Sequence, residues 1–269
     1  MAVTMSTEHA AGGHLTSSLD LLWGTGEPPG RGPKPGLTPA RIVTAAIGIA
    51  NREGLPALSM RRVATELGVG TMSLYRYVPT KGVLLDLMVD HVNSPAEDAE
   101  TFRSLGWRAA LELIAEGSWA LYTGNPWLLQ VNQARPLLGP GAMTGLELAL
   151  IPLEGLGLSG QEKMGILVAI DNYVQGSART HVLASEAAQQ SGVTDEEFWS
   201  AQLPYMERAM AEGRYPRLSA MDEDSFSMSG EEMLHFGLRP LLDGFATLIE
   251  GKRGTGGKRG TEAEQDTEG

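Results

Sequence analysis

Apolar residues recur at helical spacing along most of this 269-residue chain, and no stretch alternates with a period of two for long enough to mark a strand. The first clear segment opens at Thr38-Pro39, an N-cap followed by proline in the first turn, with Ile42, Ala45, Ala46 and Ile49 on one face and Gly54 closing it. Ser59 caps the next run, MRRVATEL, on which Val63 and Leu67 lie four apart. Gly68 supplies left-handed backbone for a sharp turn. Thr71 is placed to cap a second short helix on which Leu74 and Val78 repeat the four-residue spacing, with Val69 as the contact between the two. Pro79 breaks the chain, Thr80 caps a helix bearing Leu84, Leu87, Met88 and His91 on one face, and Asn93-Ser-Pro95 ends it. Six more helices are predicted over 103–123, 126–134, 141–154, 160–189, 195–212 and 231–250. Their starts are marked by Asn125-Pro126 and by three capping boxes, Ser159 with Glu162, Thr194 with Glu197 and Ser229 with Glu232, while Gly213 and Gly251 serve as stops. The last carries Leu238, Leu241, Leu242, Phe245, Leu248 and Ile249 on a broad apolar stripe, with a kink expected at Pro240.

The two ends read differently. Residues 1–36 run from small and polar residues through LTSSLDLLWG into the Gly/Pro-rich EPPGRGPKPG, which predicts a flexible N-terminal extension. Disorder over most of the first thirty residues is expected, with the alternative that Leu15, Leu19, Leu22 and Trp23 make a short amphipathic turn that docks on the rest of the chain. Residues 251–269 have no apolar content to bury and are predicted to be a disordered tail. The fold class is therefore all-α, with an N-terminal three-helix domain carrying a helix-turn-helix over 37–92 and a C-terminal helical domain over 102–250.

Turning Val63, Leu67, Leu74 and Val78 inward leaves Met72, Ser73, Arg76 and Tyr77 toward solvent, with Tyr75 at the boundary. That face suits a DNA major groove, although an ordinary αα-corner with a polar outer face has the same pattern. Charge sharpens the choice. The chain as a whole carries −12, but residues 28–82 hold eight basic side chains against Glu53 and Glu66, a net of +6, so the excess acid lies elsewhere. Arg31 and Lys34, just ahead of the first helix, are placed either as an arm for the adjacent minor groove or as a solvated linker.

Other chemistries find little support. With no cysteine there is no disulfide, thiolate site or thiol nucleophile, in keeping with a cytoplasmic protein. His9, His14, His91, His181 and His235 show no metal-ligand spacing, and no Ser-His-Asp arrangement or phosphate-loop pattern is present, so neither metal, cofactor nor enzyme is implied. No apolar run is long enough for a bilayer, so no membrane partner is expected.

The segment GLTPARIVTAAIGIANREGLPALSMRRVATELGVGTMSLYRYVPTKGVLLDLMV resembles the DNA-binding domain of the TetR family of bacterial transcriptional regulators, without a gap from Gly36 to Val89. Its most specific part is ALSMRRVATELGVGTMSLYRYVPTK, where the glycine turn, Leu-Tyr-x-Tyr and Pro-x-Lys fall in family register. The resemblance implies that Thr71, Met72 and Ser73 open the recognition helix at the bases, that Tyr75 touches the DNA backbone, and that Tyr77 and Lys81 contact backbone or thymine methyl. Arg76 is the choice for base readout, since a guanidinium bonds guanine O6 and N7 together; a phosphate contact is its alternative. Of Arg61 and Arg62, which begin the first helix of the motif, one is expected at phosphate.

The remainder resembles a tetracycline-repressor-type C-terminal domain, which implies a homodimer formed by helices 160–189 and 231–250 and a pocket for a small, largely apolar effector. Trp107, Leu111, Trp119, Trp127 and Met143 offer apolar surface for such a ligand, and Gln130, Asn172 and Gln175 offer polar contacts, although aromatics at helical spacing are more often core than pocket. The function implied is a homodimeric repressor released from a pseudo-palindromic double-stranded operator. The alternative is a ligand-independent co-regulator whose second domain only dimerises, and activation stays open beside repression.

Overall fold

The computed structural model describes residues 12–25, 36–222 and 224–263, and over these it forms eleven α-helices and three 3-10 turns with no strand. α1 spans Gly12–Trp23. α2, Pro39–Glu53, starts where Thr38 Oγ1 accepts the Arg41 N–H at 3.2 Å, and ends at Gly54, whose φ is 80°. It buries Ile42, Val43, Ala46, Ile49 and Ala50. A 3-10 turn, Leu55–Ala57, leads to α3, Met60–Glu66, capped by Ser59 Oγ on the Arg62 N–H at 3.1 Å. α4 is only Thr71–Tyr75. Thr71 is its first residue and not its cap; Gly70 holds the cap position, where no side chain bonds. Gly68, at φ 65°, turns the chain between α3 and α4, and Val63, Leu74 and Val78 close the interface completely buried. α5, Lys81–Val92, begins from a Thr80 cap and packs on α2.

The second unit departs from its predicted boundaries in three places. The 103–123 segment is two helices, α6 Ala99–Ser104 and α7 Trp107–Gly124, because Leu105 is extended and Gly106 starts a new helix. The 126–134 segment is only a 3-10 turn, Pro126–Gln130. Asn125 does not cap it: its amide donates back to Leu121 O at 3.0 Å and its Oδ1 accepts from Asn51 of α2 at 3.1 Å. α8, Pro140–Leu150, runs into a third 3-10 turn, Ile151–Leu153, and then α9, Gly160–Ser191, α10, Asp195–Ala211, and α11, Gly230–Ala263. All three capping boxes form, with the Glu162, Glu197 and Glu232 carboxylates each accepting the backbone N–H of the capping residue. α11 passes through Gly251 and does not stop there. A glycine ends a helix by taking positive φ, which Gly251 does not do, and Lys252 pairs with Glu162 at 2.7 Å one residue later. Lys252 and the Ser159 backbone hold the Glu162 carboxyl down at about 2. Residues 264–269 of the predicted tail lie outside the described residues.

The N-terminal extension supplies the main correction. Residues 12–23 form a full helix laid along α5. Ser18 is completely buried and donates to Asp86 Oδ2 at 2.6 Å, His14 Nδ1 meets Thr80 Oγ1 at 3.2 Å, and Trp23 donates its indole N–H to Leu138 O at 3.2 Å. Leu21 and Leu22 pack against the core while Leu15 stays exposed. A buried hydroxyl bonded to a carboxylate is worth about 1–3 kcal/mol. Ser18→Ala is therefore expected to lower stability by about that amount in urea unfolding, with an unchanged slope; an unchanged midpoint would show that the docked helix adds nothing.

Candidate DNA-reading face and ligand cavity

α4 projects a short row of side chains outward. Met72 is 76% exposed, Tyr75 and Arg76 are exposed, and Thr71 and Ser73 are half-buried at its start. Arg61 is exposed on α3, and Lys81 sits half-buried at the first position of α5. Tyr77 does not join them. It is 8% exposed and its hydroxyl is buried without a hydrogen-bond partner among the described residues. α4 ends at Tyr75, and the turn that follows carries Tyr77 inward beside Val78, so the outward position and DNA contact expected of Tyr77 are withdrawn. Arg31 and Lys34 lie outside the described residues.

The two acids of the basic segment are both engaged. Arg62 bonds Glu53 at 2.6 and 3.1 Å and Glu66 at 2.8 Å, and Arg52 bonds Glu66 at 2.9 Å, so four charges from α2 and α3 close into one network. The Arg62 hydrogen bonds lower both carboxyls, and those carboxylates raise Arg62 in turn. Arg62 is thus a brace between α2 and α3. Arg61 has no ion-pair partner among the described residues; it is exposed on α3, Arg76 is exposed at the end of α4, and Lys81 opens α5.

The candidate ligand residues do not converge as one set. Trp127 and Gln130 line a cavity of about 400 Å³ where Asn51 and Arg52 of α2, the Pro126–Gln130 turn and the His181–Gln189 face of α9 meet. Trp127 is 1% exposed and its indole N–H is buried without a partner among the described residues. Trp119 does not line this cavity, but its ring lies 5.2 Å from that of His181, which does. Leu111 belongs to the core, Trp107 packs against that core, and Met143 and Asn172 are exposed on the outside; none of these lines the cavity. Gln175 donates to the Tyr122 hydroxyl at 3.3 Å, which in turn donates to Asp171 at 3.0 Å. Burial raises the Tyr122 hydroxyl, and desolvation of the carboxyl beside Tyr122 raises Asp171, although the Asp171 residue as a whole is exposed. His181, Ser185 and Gln189 of the cavity wall were not singled out from sequence; their i, i+4, i+8 spacing on α9 is the signal that marks them.

Residues 42–88 match the model of bacterial regulatory proteins of the tetR family, and residues 103–249 match the tetracyclin repressor-like C-terminal domain. The chain belongs to the TetR family. It is 51% identical over 251 residues, 93% of this chain and 92% of the relative, to the HTH-type transcriptional repressor DrrR1 of Streptomyces coeruleorubidus. Among solved structures it resembles apo ActR of Streptomyces coelicolor, with a TM-score of 0.62, 26% identity and coverage of 82% of this chain and 99% of that one. ActR in complex with actinorhodin matches at a TM-score of 0.55 and 25% identity, covering 78% of this chain and 96% of that one. As a TetR-family protein the chain is a DNA-binding transcriptional regulator, and its all-helical fold is that of the family. Among the described residues no helix is long and apolar enough to cross a membrane, and no group of three or more His, Asp or Glu side chains is placed to hold a metal ion.

Two tests follow from this TetR-family geometry. Replacing Arg62 with alanine is expected to cost folding stability through the loss of the α2–α3 brace, whereas Arg61→Ala keeps stability but lowers the salt slope of operator binding by about 1, as loss of one phosphate contact does. For Asp171 the raised carboxyl pKa means that its contribution to stability is present when protonated and is lost as pH rises through the folded-state value. Asp171→Asn should therefore match the parent in thermal unfolding at acidic pH and exceed it at neutral pH, and a constant difference across the range would refute the desolvation.

Proposed function

We propose that this protein is a homodimeric repressor that binds a pseudo-palindromic operator through α4 and is released by a small-molecule effector held in its second unit. The observation that carries the reading is the division of charge in the head. Both acids of the basic segment are paired within the α2–α3 brace, while Arg61 on α3 and Arg76 at the end of α4 are exposed and Lys81 opens α5, so basic side chains flank the reading helix. Within this reading Thr71, Met72 and Ser73 approach the bases, Tyr75, Arg61 and Lys81 hold the backbone, and Arg76 reads a guanine. Arg31 and Lys34 are kept as a candidate minor-groove arm.

Dimerisation is supported by apolar surface that the single chain leaves open. α9 and α11 pack on each other through Ile166, Ile170, Val174, Leu234, Leu238 and Leu242, yet Val168 and Leu183 of α9 and Phe236 of α11 are more than half exposed. Among its described residues α10 buries none, and it exposes Phe198, Trp199, Leu203 and Tyr205. A two-fold partner covering these helices removes that surface from water. The effector proposed here sets apolar surface on Trp127 and hydrogen-bonding groups toward Gln130 and His181. That a family member takes up a small molecule is supported by ActR, solved in complex with actinorhodin.

Release requires the effector to bind the form that fits DNA poorly better than the form that fits it, with a coupling of about 1–3 kcal/mol and equal weakening of the effector by operator. The test is footprinting on the DNA upstream of the protein's own gene, with light scattering for the dimer. A two-fold footprint by a dimer is the expected result, and a monomer or an asymmetric single half-site overturns it. Arg76→Ala on that operator is expected to lose about 1–3 kcal/mol and relax the preference at one base pair per half-site; uniform weakening across sequences would make Arg76 a phosphate contact instead.

A further inference from the structure

We propose that Asp90 is a positioning residue for operator recognition, pinning the start of α8 to α5 and so setting the angle at which the second unit holds the reading head. The inference rests on the dimeric-repressor reading above. Asp90 stands near the end of α5 on its buried side, 8% exposed, in a helix otherwise buried through apolar residues. Its two carboxylate oxygens accept the Gly141 N–H at 3.1 Å and the Ala142 N–H at 3.0 Å. These are the open donors of the first turn of α8. Pro140, before them, has no N–H to offer, and Gly139 at the cap position has no side chain to bond. The cap that α8 lacks in its own sequence is supplied by α5, and a carboxylate there also meets the positive end of the helix.

The approach is close enough to exclude side chains. A Cβ on Gly139 would overlap the Asp90 carboxyl, and one on Gly141 would overlap the Asp90 backbone carbonyl. The contact is therefore backbone against backbone, closed by one carboxylate, and it has little room to slide. Two residues of the same face of α5, Asp86 and Asp90, lie one turn apart. Asp86 takes the Ser18 hydroxyl of α1, while Trp23 of α1 bonds Leu138 O, next to the Gly139 that Asp90 touches. α8 in turn packs on α6, α7 and the Ile151–Leu153 turn. A shift of α8 within the second unit must then carry the end of α5 with it, and the other end of α5 begins at Lys81 beside α4.

The chain has no cysteine, so Thr65→Cys on exposed α3 gives each protomer a single attachment point for a spin label. The distance between the two labels in the dimer reports the spacing of the reading heads. The expected result is a narrow distribution for the parent, broadened by Asp90→Asn and by Gly141→Ala, with operator affinity lowered roughly 2- to 30-fold. Tyr122→Phe on α7, which removes the hydrogen bond of a buried hydroxyl to Asp171, away from the joint, at a comparable stability cost, serves as the control and should leave the distribution unchanged. Asp90 and Gly141 variants that keep the parent's distances and affinity while the parent dimerises and binds operator overturn this inference alone. The same holds if they change only in step with stability, as the control does. A parent chain that neither dimerises nor binds operator overturns the dimeric-repressor reading itself, and the inference falls with it.

Discussion

The Asp90 carboxylate closes a joint at which α5 of the DNA-binding unit and α8 of the second unit meet backbone to backbone. α5, a helix of twelve residues, links the second unit to α4 beside the direct contact of α2 with the Pro126–Gln130 turn, and a helix transmits displacement only as well as its ends are held. Apolar packing alone would not hold them. Val83, Leu84, Leu87 and Met88 bury α5 among its neighbours, but apolar contacts are non-directional and permit sliding by small steps. Two hydrogen bonds to fixed backbone donors, in a site where two glycines leave no slack, convert that packing into a defined angle. The joint is costly to leave half made, because a buried carboxylate without its partners loses the hydrogen bonds that compensate its desolvation.

Electrostatics does a different task at the other end of the head. A protein carrying −12 in all must present its positive charge locally, or it is repelled by the polyanion it binds. The network of Arg52, Glu66, Arg62 and Glu53 contributes to this by pairing both local acids with arginines of α2 and α3. Its members are partly exposed, so its value to stability is modest and salt-dependent. Its larger consequence is that no carboxylate of the basic segment is left to oppose a phosphate near Arg61 and Lys81.

How far the sequence could be read depended on whether the chemistry was local. Thr38, Ser59 and Thr80 cap their helices as read, since a hydroxyl bonding three residues ahead needs nothing from the rest of the chain. Val63, Leu74 and Val78 were likewise legible from their spacing, and the glycine turn from Gly68. Tyr77 was misread because helical periodicity was carried two residues past the end of a five-residue helix, where direction no longer follows from position. α1 offered an amphipathic pattern too short to specify anything alone; its order comes from Asp86, 68 residues away from Ser18. The cavity was half legible for the same reason. Trp127 and Gln130 share one turn, but their opposite walls belong to α2 and α9, and no local rule brings those together. Asp90 left a trace that a pattern search passes over: an acid on the buried side of an apolar helix, and a Gly-Pro-Gly opening a helix that has no cap of its own.

A recognition helix of five residues reads few base pairs, so a single head discriminates poorly among the many sites a genome offers. In the proposed dimer the two heads multiply their selectivity only if their separation matches one turn of the duplex. That makes the angle of α5 count twice, once in each protomer, and makes a small loss of definition at the joint a large loss of operator preference. It also explains why an effector need not touch the DNA-reading face at all. A ligand seated between α2 and α9 gains its leverage by favouring one disposition of head and body over another, and the stiffness supplied by Asp90, with α1 laid along the same helix, turns that preference into a change of spacing rather than a local adjustment.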